Sequence, residues 1–165
     1  MQKNSYPGGV TKKNILSLYG IVVILVVVFD EWTKKIMLTK LPDQGSLLQS
    51  NLIDFSIHKN IGIAFDLPFK MPFIIIFSVV LGFLLICLAY KNINKRPTVS
   101  LALIIMIIGA AGNLFDRLVY GFAVDYILLF GRSAFNLSDI VIIIGIIVFL
   151  LASRTKNITH PEYLH

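Results

Sequence analysis

The 165-residue sequence has few of the residues that build disulfides or metal centres. It contains one cysteine, Cys87, and three histidines. A single cysteine allows neither an intramolecular disulfide nor a cysteine-based zinc site, and Cys87 lies within an apolar block with no histidine near it in the sequence. His58 has no histidine or cysteine at ligand spacing. We therefore expect Cys87 to be a packing residue and His58 to be a polar residue at an interface.

Charged residues are scarce as well, because 15% of the chain is charged and 56% is hydrophobic. Such a chain is too apolar for an ordinary soluble domain and too short for several domains. The net charge of +6 would suit nucleic acid, but the lysines and arginines form small groups at the ends of apolar blocks, without a basic stripe interleaved with aromatic residues. The composition indicates one α-helical membrane domain over 1–165 and no nucleic-acid partner.

Four apolar stretches are long enough for membrane-spanning helices, which need about 20 residues. We predict these helices at 15–38, 72–90, 98–118 and 135–152. Helices are expected because backbone polar groups in lipid must pair within their own segment. The first stretch has the basic start of a signal peptide, but it lacks a small-x-small cleavage site and continues into Asp30, Trp32 and Lys34. We therefore interpret it as a retained helix.

The distribution of charge predicts the orientation of these helices. Basic residues lie in short segments at the N-terminus, in the 91–97 connection and at the C-terminus, and Glu162 is the only acid among them. The other acids lie on the opposite side, although lysines and arginines are divided almost evenly between the two sides. Because short cytoplasmic segments are enriched in lysine and arginine, we predict that both termini are cytoplasmic.

Two connections would then lie on the outer side. In the connection over 39–71, Ile53, Phe55 and Ile57 alternate with polar residues, which is typical of a strand with one apolar face. We predict a small β cradle over about 42–68, between the first two helices. We interpret 119–134, between the third and fourth helices, as a second outer loop.

The polar residues of the predicted helices collect near the outer side. At 1.5 Å per residue, Asp30 and Asn113 lie about 22 Å from the inner ends of their helices, and Asp116 lies about 27 Å from the same end. Asp139 lies roughly 6 Å below the outer end of the fourth helix. Asp125 follows the third helix by a few residues. One layer of the helix bundle therefore contains all of these groups.

Several polar residues have a simple structural interpretation. Asn113, Asp116 and Arg117 share one helix face at positions i, i+3 and i+4, and Arg117 would neutralise Asp116. Asp30 would accept hydrogen bonds from loop backbone, and Asn136 is placed to cap the fourth helix. These interpretations predict supporting roles for Asp30 and Asp116.

Asp125 and Asp139 differ from the other acids. Neither has an adjacent basic residue, and their flanks, AVDYI and FNLSDI, are mostly apolar. Unpaired acids at a membrane usually mark function. Two carboxylates that approach each other do not both ionise easily, so one keeps its proton. In that state, the ionised group can take a proton from water while the protonated group polarises a scissile carbonyl. The sequence spacing permits such a meeting without requiring it.

Five stretches resemble lipoprotein signal peptidase, also called signal peptidase II, and they occur in that family's order. The stretches are FDEWTK (29–34), HKNIGIAF (58–65), GAAGNLFDR (109–117), VDYI (124–127) and FNLSD (135–139). Each stretch alone is weakly specific, whereas five in order over about 15–152 form a specific signal. The resemblance implies four helices with both termini inside and an outer β cradle.

The resemblance also implies an activity. It implies an aspartic endopeptidase of the bacterial cytoplasmic membrane, with its site facing outward and membrane lipids around it. The substrate would be a diacylglyceryl-modified prolipoprotein, cut on the N-terminal side of its lipidated lipobox cysteine. No metal and no cofactor are implied, and we expect a monomer.

The resemblance implies a role for each residue that stands at a functional position of the family's motifs. Asp125 and Asp139 match the family's catalytic pair. Asp30 and Asp116 match acids that support the site. The residues that match polar substrate-binding positions are Asn60, Asn113, Arg117 and Asn136.

The chain departs from the family's pattern at Glu31, Ile63 and Ser138, where glutamine, a small residue and alanine are expected. Glu31 would alter contacts around Asp30, and Ile63 would narrow a substrate path. The Ser138 hydroxyl would bond Asp139 and change its pKa. The connection between the two catalytic positions is also short, which affects how the substrate is covered.

Three other functions are compatible with a membrane acid cluster. A small transporter or proton pathway usually places its acids near the midplane and contains repeats or broken helices, and no repeat is visible here. The GxGD motif of another class of membrane aspartyl peptidase is absent, because Gly121 precedes Asp125 by four positions. A purely structural membrane protein has no need of two unpaired acids. The sequence therefore favours the signal peptidase.

Overall fold

The structure, a computed structural model, describes residues 12–40, 52–62, 69–130 and 133–154, with side chains from residue 17 onward. The helices are α1 (Lys12–Lys40), α2 (Met71–Asn92), α3 (Pro97–Tyr120) and α4 (Leu137–Arg154). The strands are β1 (Ile53–Asn60), β2 (Ala123–Leu129) and β3 (Ser133–Phe135). Much of the predicted 42–68 cradle, including Ile63, lies outside the described residues.

Three of the helices, α2, α3 and α4, are long and apolar enough to cross a membrane. Only 11% of the apolar stretch of α2 is buried inside the protein, whereas 39% of that of α3 is buried. The central helix is therefore α3, and α2 presents most of its apolar surface, including the exposed Cys87, to the surroundings. The result is a mostly helical membrane protein with a small antiparallel sheet. A membrane crossing by α1 stays a prediction.

The three strands form one antiparallel sheet with β2 at its centre. The sequence places the cradle between the first two helices, but two of the three strands come from the connection between α3 and α4. The interpretation of 119–134 as a loop is therefore wrong. The first four residues of β2, Ala123 to Tyr126, are all buried, so this strand lacks the alternation of apolar and polar residues by which a one-sided strand is recognised.

The start of the fourth helix also differs from the prediction. The sequence predicts a helix from Phe135, but Phe135 ends β3 and α4 begins at Leu137. Between them, Asn136 caps the helix as predicted, because its side-chain oxygen accepts a hydrogen bond from the Asp139 backbone N–H at 3.0 Å.

The helices α3 and α4 approach each other closely at two glycines. A Cβ atom on Gly109 would lie 2.8 Å from the Ser138 carbonyl oxygen, and one on Gly145 would lie 2.5 Å from Cγ of Met106. Both distances are shorter than a carbon contact allows, so the packing requires glycine at these positions. This close approach places Asn113, one turn after Gly109, beside the first turn of α4.

The chain leaves α3 through Gly121, which adopts the left-handed conformation with φ at 79°. Its backbone N–H donates to the Arg117 carbonyl, which ends the helix. Two residues later β2 begins, and its buried residues Val124 and Tyr126 pack with Ile57 of β1 against the end of α1. The sheet is thereby fixed at the end of the bundle where α3 finishes and α4 starts.

Candidate active site

Two carboxylates from different elements meet at this end of the bundle. Asp125 is the third residue of β2 and is 1% exposed. Asp139 lies in the first turn of α4 and is half-buried. Both bind Asn136, whose side-chain amide donates to Oδ1 of Asp125 at 2.7 Å and whose backbone N–H donates to Oδ2 of Asp139 at 3.2 Å. The structure thus brings the predicted pair together.

Asn136 is fully buried and uses all of its polar groups. Besides Asp125, its amide nitrogen donates to Oδ1 of Asn113 at 3.0 Å and to the Val124 carbonyl at 3.3 Å. Its side-chain oxygen and backbone N–H form a reciprocal pair of hydrogen bonds with Asp139, the geometry of a helix capping box. One residue therefore fixes the helix start and holds both carboxylates.

Each aspartate also accepts a hydrogen bond from a second asparagine. The Asn60 amide donates to Oδ2 of Asp125 at 3.0 Å, and the Asn113 amide donates to Oδ1 of Asp139 at 2.7 Å. Every carboxylate oxygen of the pair therefore has one N–H donor. Asn60 reaches Asp125 because it pairs across the sheet with Ala123, at the start of β2.

The Arg117 guanidinium donates hydrogen bonds to two backbone carbonyl groups near the pair. It donates to the Asn113 carbonyl at 3.0 Å and to the Gly62 carbonyl at 2.9 Å. The Gly62 N–H in turn donates to the Asn60 side-chain oxygen at 3.0 Å. Arg117 thereby links α3 to the turn that holds Asn60. Its Nε is buried and has no partner within the described part of the chain.

The environment of Asp125 favours its neutral form. Burial, and next to it the nearby charge of Asp139, raise the pKa of Asp125 to about 7, although the hydrogen bonds from Asn60 and Asn136 oppose the shift. A carboxyl with a pKa near neutrality keeps its proton in a large fraction of molecules at physiological pH. Asp125 can therefore act as a hydrogen-bond donor while a neighbouring carboxylate stays ionised.

A second polar cluster, which contains Asp30 of α1, binds the start of α4. Asp30 is fully buried and accepts hydrogen bonds from the backbone N–H groups of Leu137 and Ser138, at 3.2 Å and 3.1 Å. The Tyr126 hydroxyl donates to Asp30 at 2.8 Å. Burial and the neighbouring Asp30 raise the pKa of Tyr126, so its hydroxyl stays a donor. Asp30 thus binds backbone, as the sequence predicts, but the backbone belongs to a helix start.

Lys34 is the cation of this second cluster, which we call the Lys34 cluster. Its members are Asp30, Glu31, Lys34, Asp116, Tyr126 and Ser138. Lys34 is fully buried, and its ammonium lies 3.0 Å from Asp30, 2.9 Å from Glu31 and 2.9 Å from Asp116. Asp116 also accepts a hydrogen bond from the Val124 backbone N–H at 3.1 Å. The prediction that Arg117 neutralises Asp116 is therefore wrong, because the ion pair is made by Lys34.

The two described departures from the family's pattern both lie in the Lys34 cluster. Glu31 pairs with Lys34, and the Ser138 hydroxyl donates to Oδ2 of Asp30 at 2.6 Å. The expectation that the Ser138 hydroxyl bonds Asp139 is wrong, because that hydroxyl turns toward α1. Ser138 and Asp139 are consecutive residues on a helix, so their side chains point about 100° apart.

Lys34 and Tyr126 both bind Asp30, but the sequence alone predicts no role for either residue. The signal for Lys34 was its position four residues after Asp30, at depth in an apolar helix, where a charge needs a partner. Tyr126 follows Asp125 directly, and no feature of its sequence position indicates that it binds Asp30. Within the described ranges, no group of three histidine, cysteine, aspartate or glutamate residues is arranged to hold a metal ion.

Similar proteins share both the sequence and the fold. Residues 22–155 match the family described as Signal peptidase (SPase) II. A lipoprotein signal peptidase of Thermodesulfovibrio yellowstonii is 34% identical over 86% of this chain and 99% of that relative. One from Pelodictyon phaeoclathratiforme is 31% identical over 82% of this chain and 89% of that relative. One from Staphylococcus aureus is 29% identical over 86% of this chain and 90% of that relative.

A solved structure described as a bacterial membrane enzyme has the same fold. It superposes with a TM-score of 0.72 at 26% identity, over 88% of this chain and 94% of that chain. Together with the family match over residues 22–155, this agreement shows that the chain belongs to the signal peptidase II family.

Proposed function

We propose that this peptidase is an aspartic endopeptidase that removes the signal peptide from diacylglyceryl-modified prolipoproteins. The cut lies on the N-terminal side of the lipidated cysteine. The observation that carries the proposal is the meeting of Asp125 and Asp139 at Asn136, in a chain of the signal peptidase II family. Membership of that family supports the substrate, and the pair supports the chemistry.

The two carboxyl groups have different tasks in the proposed reaction. Asp125, whose pKa is raised to about 7, holds the proton and donates a hydrogen bond to the scissile carbonyl oxygen. Asp139 is half-buried, and in its ionised form it takes a proton from the attacking water. Water adds to the carbonyl carbon, and Asp125 protonates the developing oxyanion. As the C–N bond then breaks, the proton on Asp139 passes to the leaving amine of the lipidated cysteine, and one hydroxyl of the tetrahedral intermediate returns a proton to Asp125.

We retain four residues as candidates for holding the substrate backbone, and the contacts support them unequally. Asn113 and Asn136 are buried and bonded to the aspartates, which supports a role in fixing the carboxyl groups. Asn60 and Arg117 are partly exposed, and the buried Nε–H of Arg117 has no partner among the described residues. These two are the stronger candidates for direct contact with the peptide.

The proposed setting is the bacterial cytoplasmic membrane, with four spanning helices, both termini inside and the site on the outer side. The support is that all polar groups of the site lie at the same end of the bundle, where α3 ends and α4 begins. The lipid tails of the substrate could remain in the bilayer beside the exposed apolar helix faces. A monomer is sufficient, because one chain supplies both carboxylates.

A cleavage assay with two matched substrates tests this function. Purified protein in detergent is mixed with a prolipoprotein that carries diacylglycerol on its lipobox cysteine, or with the same precursor unmodified. We expect release of the signal peptide from the lipidated precursor only, and mass spectrometry should find the lipidated cysteine at the new N-terminus. Equal cleavage of both precursors, or a cut elsewhere, contradicts the proposed specificity. Cleavage of neither contradicts the function and favours a transport role.

The rate of cleavage should depend on pH in a defined direction. Asp125 must be protonated to act as the acid, and its pKa is about 7. We therefore expect kcat/KM to fall about tenfold per unit as the pH rises above about 7, and to fall again at acidic pH where Asp139 becomes protonated. The profile is measured on the lipidated precursor between pH 4 and 9, with stability checked at each pH. A rate that stays constant from about pH 6 to 9 contradicts the role of Asp125 as the acid.

A further inference from the structure

Glu31 of α1 and Ser138 of α4 meet at the Lys34 cluster. Glu31 binds Lys34 at 2.9 Å, and the Ser138 hydroxyl binds Asp30 at 2.6 Å. A Cβ atom on Gly112 of α3 would lie 2.6 Å from the Ser138 hydroxyl oxygen and 3.2 Å from the Glu31 carboxylate. The side chains of Glu31, from α1, and Ser138, from α4, therefore both lie next to Gly112.

Glu31 adds a third carboxylate around the ammonium group of Lys34. An ammonium group has three N–H donors, and the ammonium of Lys34 has three carboxylates within 3.0 Å, those of Asp30, Glu31 and Asp116. Asp30 and Asp116 are fully buried, whereas the Glu31 side chain is 22% exposed. One positive charge thus faces three carboxylates, and a negative charge on Glu31 adds repulsion at the two that have no contact with solvent.

The Ser138 hydroxyl is a further hydrogen-bond donor to Asp30. Oδ2 of Asp30 accepts from the Lys34 ammonium at 3.0 Å, from the Ser138 backbone N–H at 3.1 Å and from the Ser138 hydroxyl at 2.6 Å. The hydroxyl makes the shortest of these contacts, within the range of a strong hydrogen bond to an ionised carboxylate. Ser138 is fully buried, so solvent would not replace this donor.

Asp30 is connected through backbone to the catalytic pair. Its carboxylate binds the N–H groups of Leu137 and Ser138, and the next residue is Asp139. A shift of Asp30 toward or away from Lys34 would therefore move the first turn of α4. That movement would change the position of the Asp139 carboxylate relative to Asp125.

We propose that Glu31 and Ser138 form a coupled pair of positioning residues for Asp139. The Ser138 hydroxyl offsets the repulsion that the Glu31 carboxylate exerts on Asp30, so each of the two residues is tolerated because the other is present. Both act through Asp30 and Lys34, so neither is a catalytic residue. The kinetic consequence rests on the proposed peptidase function, but the coupling itself does not.

A double-mutant cycle with Glu31→Gln and Ser138→Ala tests this coupling. In the Ser138→Ala variant, Asp30 loses a donor while the Glu31 carboxylate still repels it, so we expect kcat to fall about tenfold with KM within about twofold. In Glu31→Gln/Ser138→Ala, Lys34 serves only two carboxylates, and kcat should return to within about threefold of that of Glu31→Gln. Ser138→Thr keeps the hydroxyl and should retain more activity than Ser138→Ala.

Thermal unfolding of the same four proteins separates the coupling from the proposed function. We expect the loss of midpoint temperature caused by Ser138→Ala to be at least halved in the Glu31→Gln background. A wild-type protein without peptidase activity would overturn the proposed function and leave this thermal cycle to decide the coupling. Equal losses in both backgrounds, in midpoint and in kcat, would overturn the coupled pair.

Ser100→Ala is the matched control for loss of a buried hydroxyl. Ser100 is also buried, and its hydroxyl donates to the Ala89 carbonyl at 2.8 Å, between α2 and α3. We expect this variant to lose stability by the same amount with Glu31 or with glutamine at position 31, and to keep kcat per folded molecule. A rescue of Ser100→Ala by Glu31→Gln would show a general effect of position 31 and would also overturn the pairing.

Discussion

Replacing either Asp125 or Asp139 with asparagine is expected to lower kcat by about 10²- to 10⁴-fold. Asparagine has nearly the shape of aspartate but can neither take a proton from water nor give one to the scissile carbonyl. The double variant should be scarcely slower than either single variant, because the two carboxyl groups work as one unit in the proposed reaction. The measurement is single-turnover release of the signal peptide from a lipidated precursor.

Folding must be checked in these variants, because every oxygen of the pair accepts an N–H bond. An asparagine amide would point one donor at another donor, at a cost of about 1–3 kcal/mol. Asp54→Asn is a suitable control, because it removes the same charge from β1 of the same sheet. It should cleave at nearly the wild-type rate. If folded Asp125→Asn or Asp139→Asn cleaves as fast as this control, the proposed catalytic pair is wrong.

The sequence singles out these two acids, but it does not predict how they meet. Asp125 and Asp139 stand out because they lack adjacent basic residues in apolar surroundings. Their meeting depends on Asn136, which the sequence identifies as a helix cap but not as the link between two carboxylates. A cap position can be recognised from local sequence. A hydrogen bond from that cap to a strand eleven residues earlier depends on the tertiary fold.

The prediction for the connection between α3 and α4 failed for a physical reason. Alternation of apolar and polar residues reveals a strand that is buried on one face, but the first half of β2 is buried on both. The same burial raises the pKa of Asp125, so the burial that makes the strand hard to recognise also favours the neutral form of this carboxyl group.

The neutralising partner of Asp116 was also predicted wrongly. Arg117 is adjacent in sequence, but consecutive residues of a helix point about 100° apart. Arg117 therefore reaches the Gly62 carbonyl, while Lys34 from α1 reaches Asp116. Helix periodicity alone excludes the adjacent pair, but it cannot supply the partner from another helix.

Replacing Lys34 with methionine is expected to be the most destabilising single substitution in the Lys34 cluster. Methionine has a similar length but no charge, so Asp30 and Asp116 would remain fully buried without a cation. Removing one partner of a buried ion pair typically costs about 3–5 kcal/mol. We expect a lower thermal midpoint in detergent and a smaller yield of folded protein. Lys91→Met is the control, because Lys91 is an exposed lysine in the last turn of α2.

Adding Asp116→Asn to Lys34→Met tests the cause of this instability. The asparagine oxygen can still accept the Val124 N–H bond that Asp116 accepts, while one of the two unpaired charges is removed. Because the penalty arises from uncompensated buried charge, the double variant should unfold at a higher temperature than Lys34→Met alone. If Asp116→Asn lowers the midpoint by the same amount with or without Lys34, the two residues are not energetically coupled, and Lys34 stabilises the fold mainly by packing.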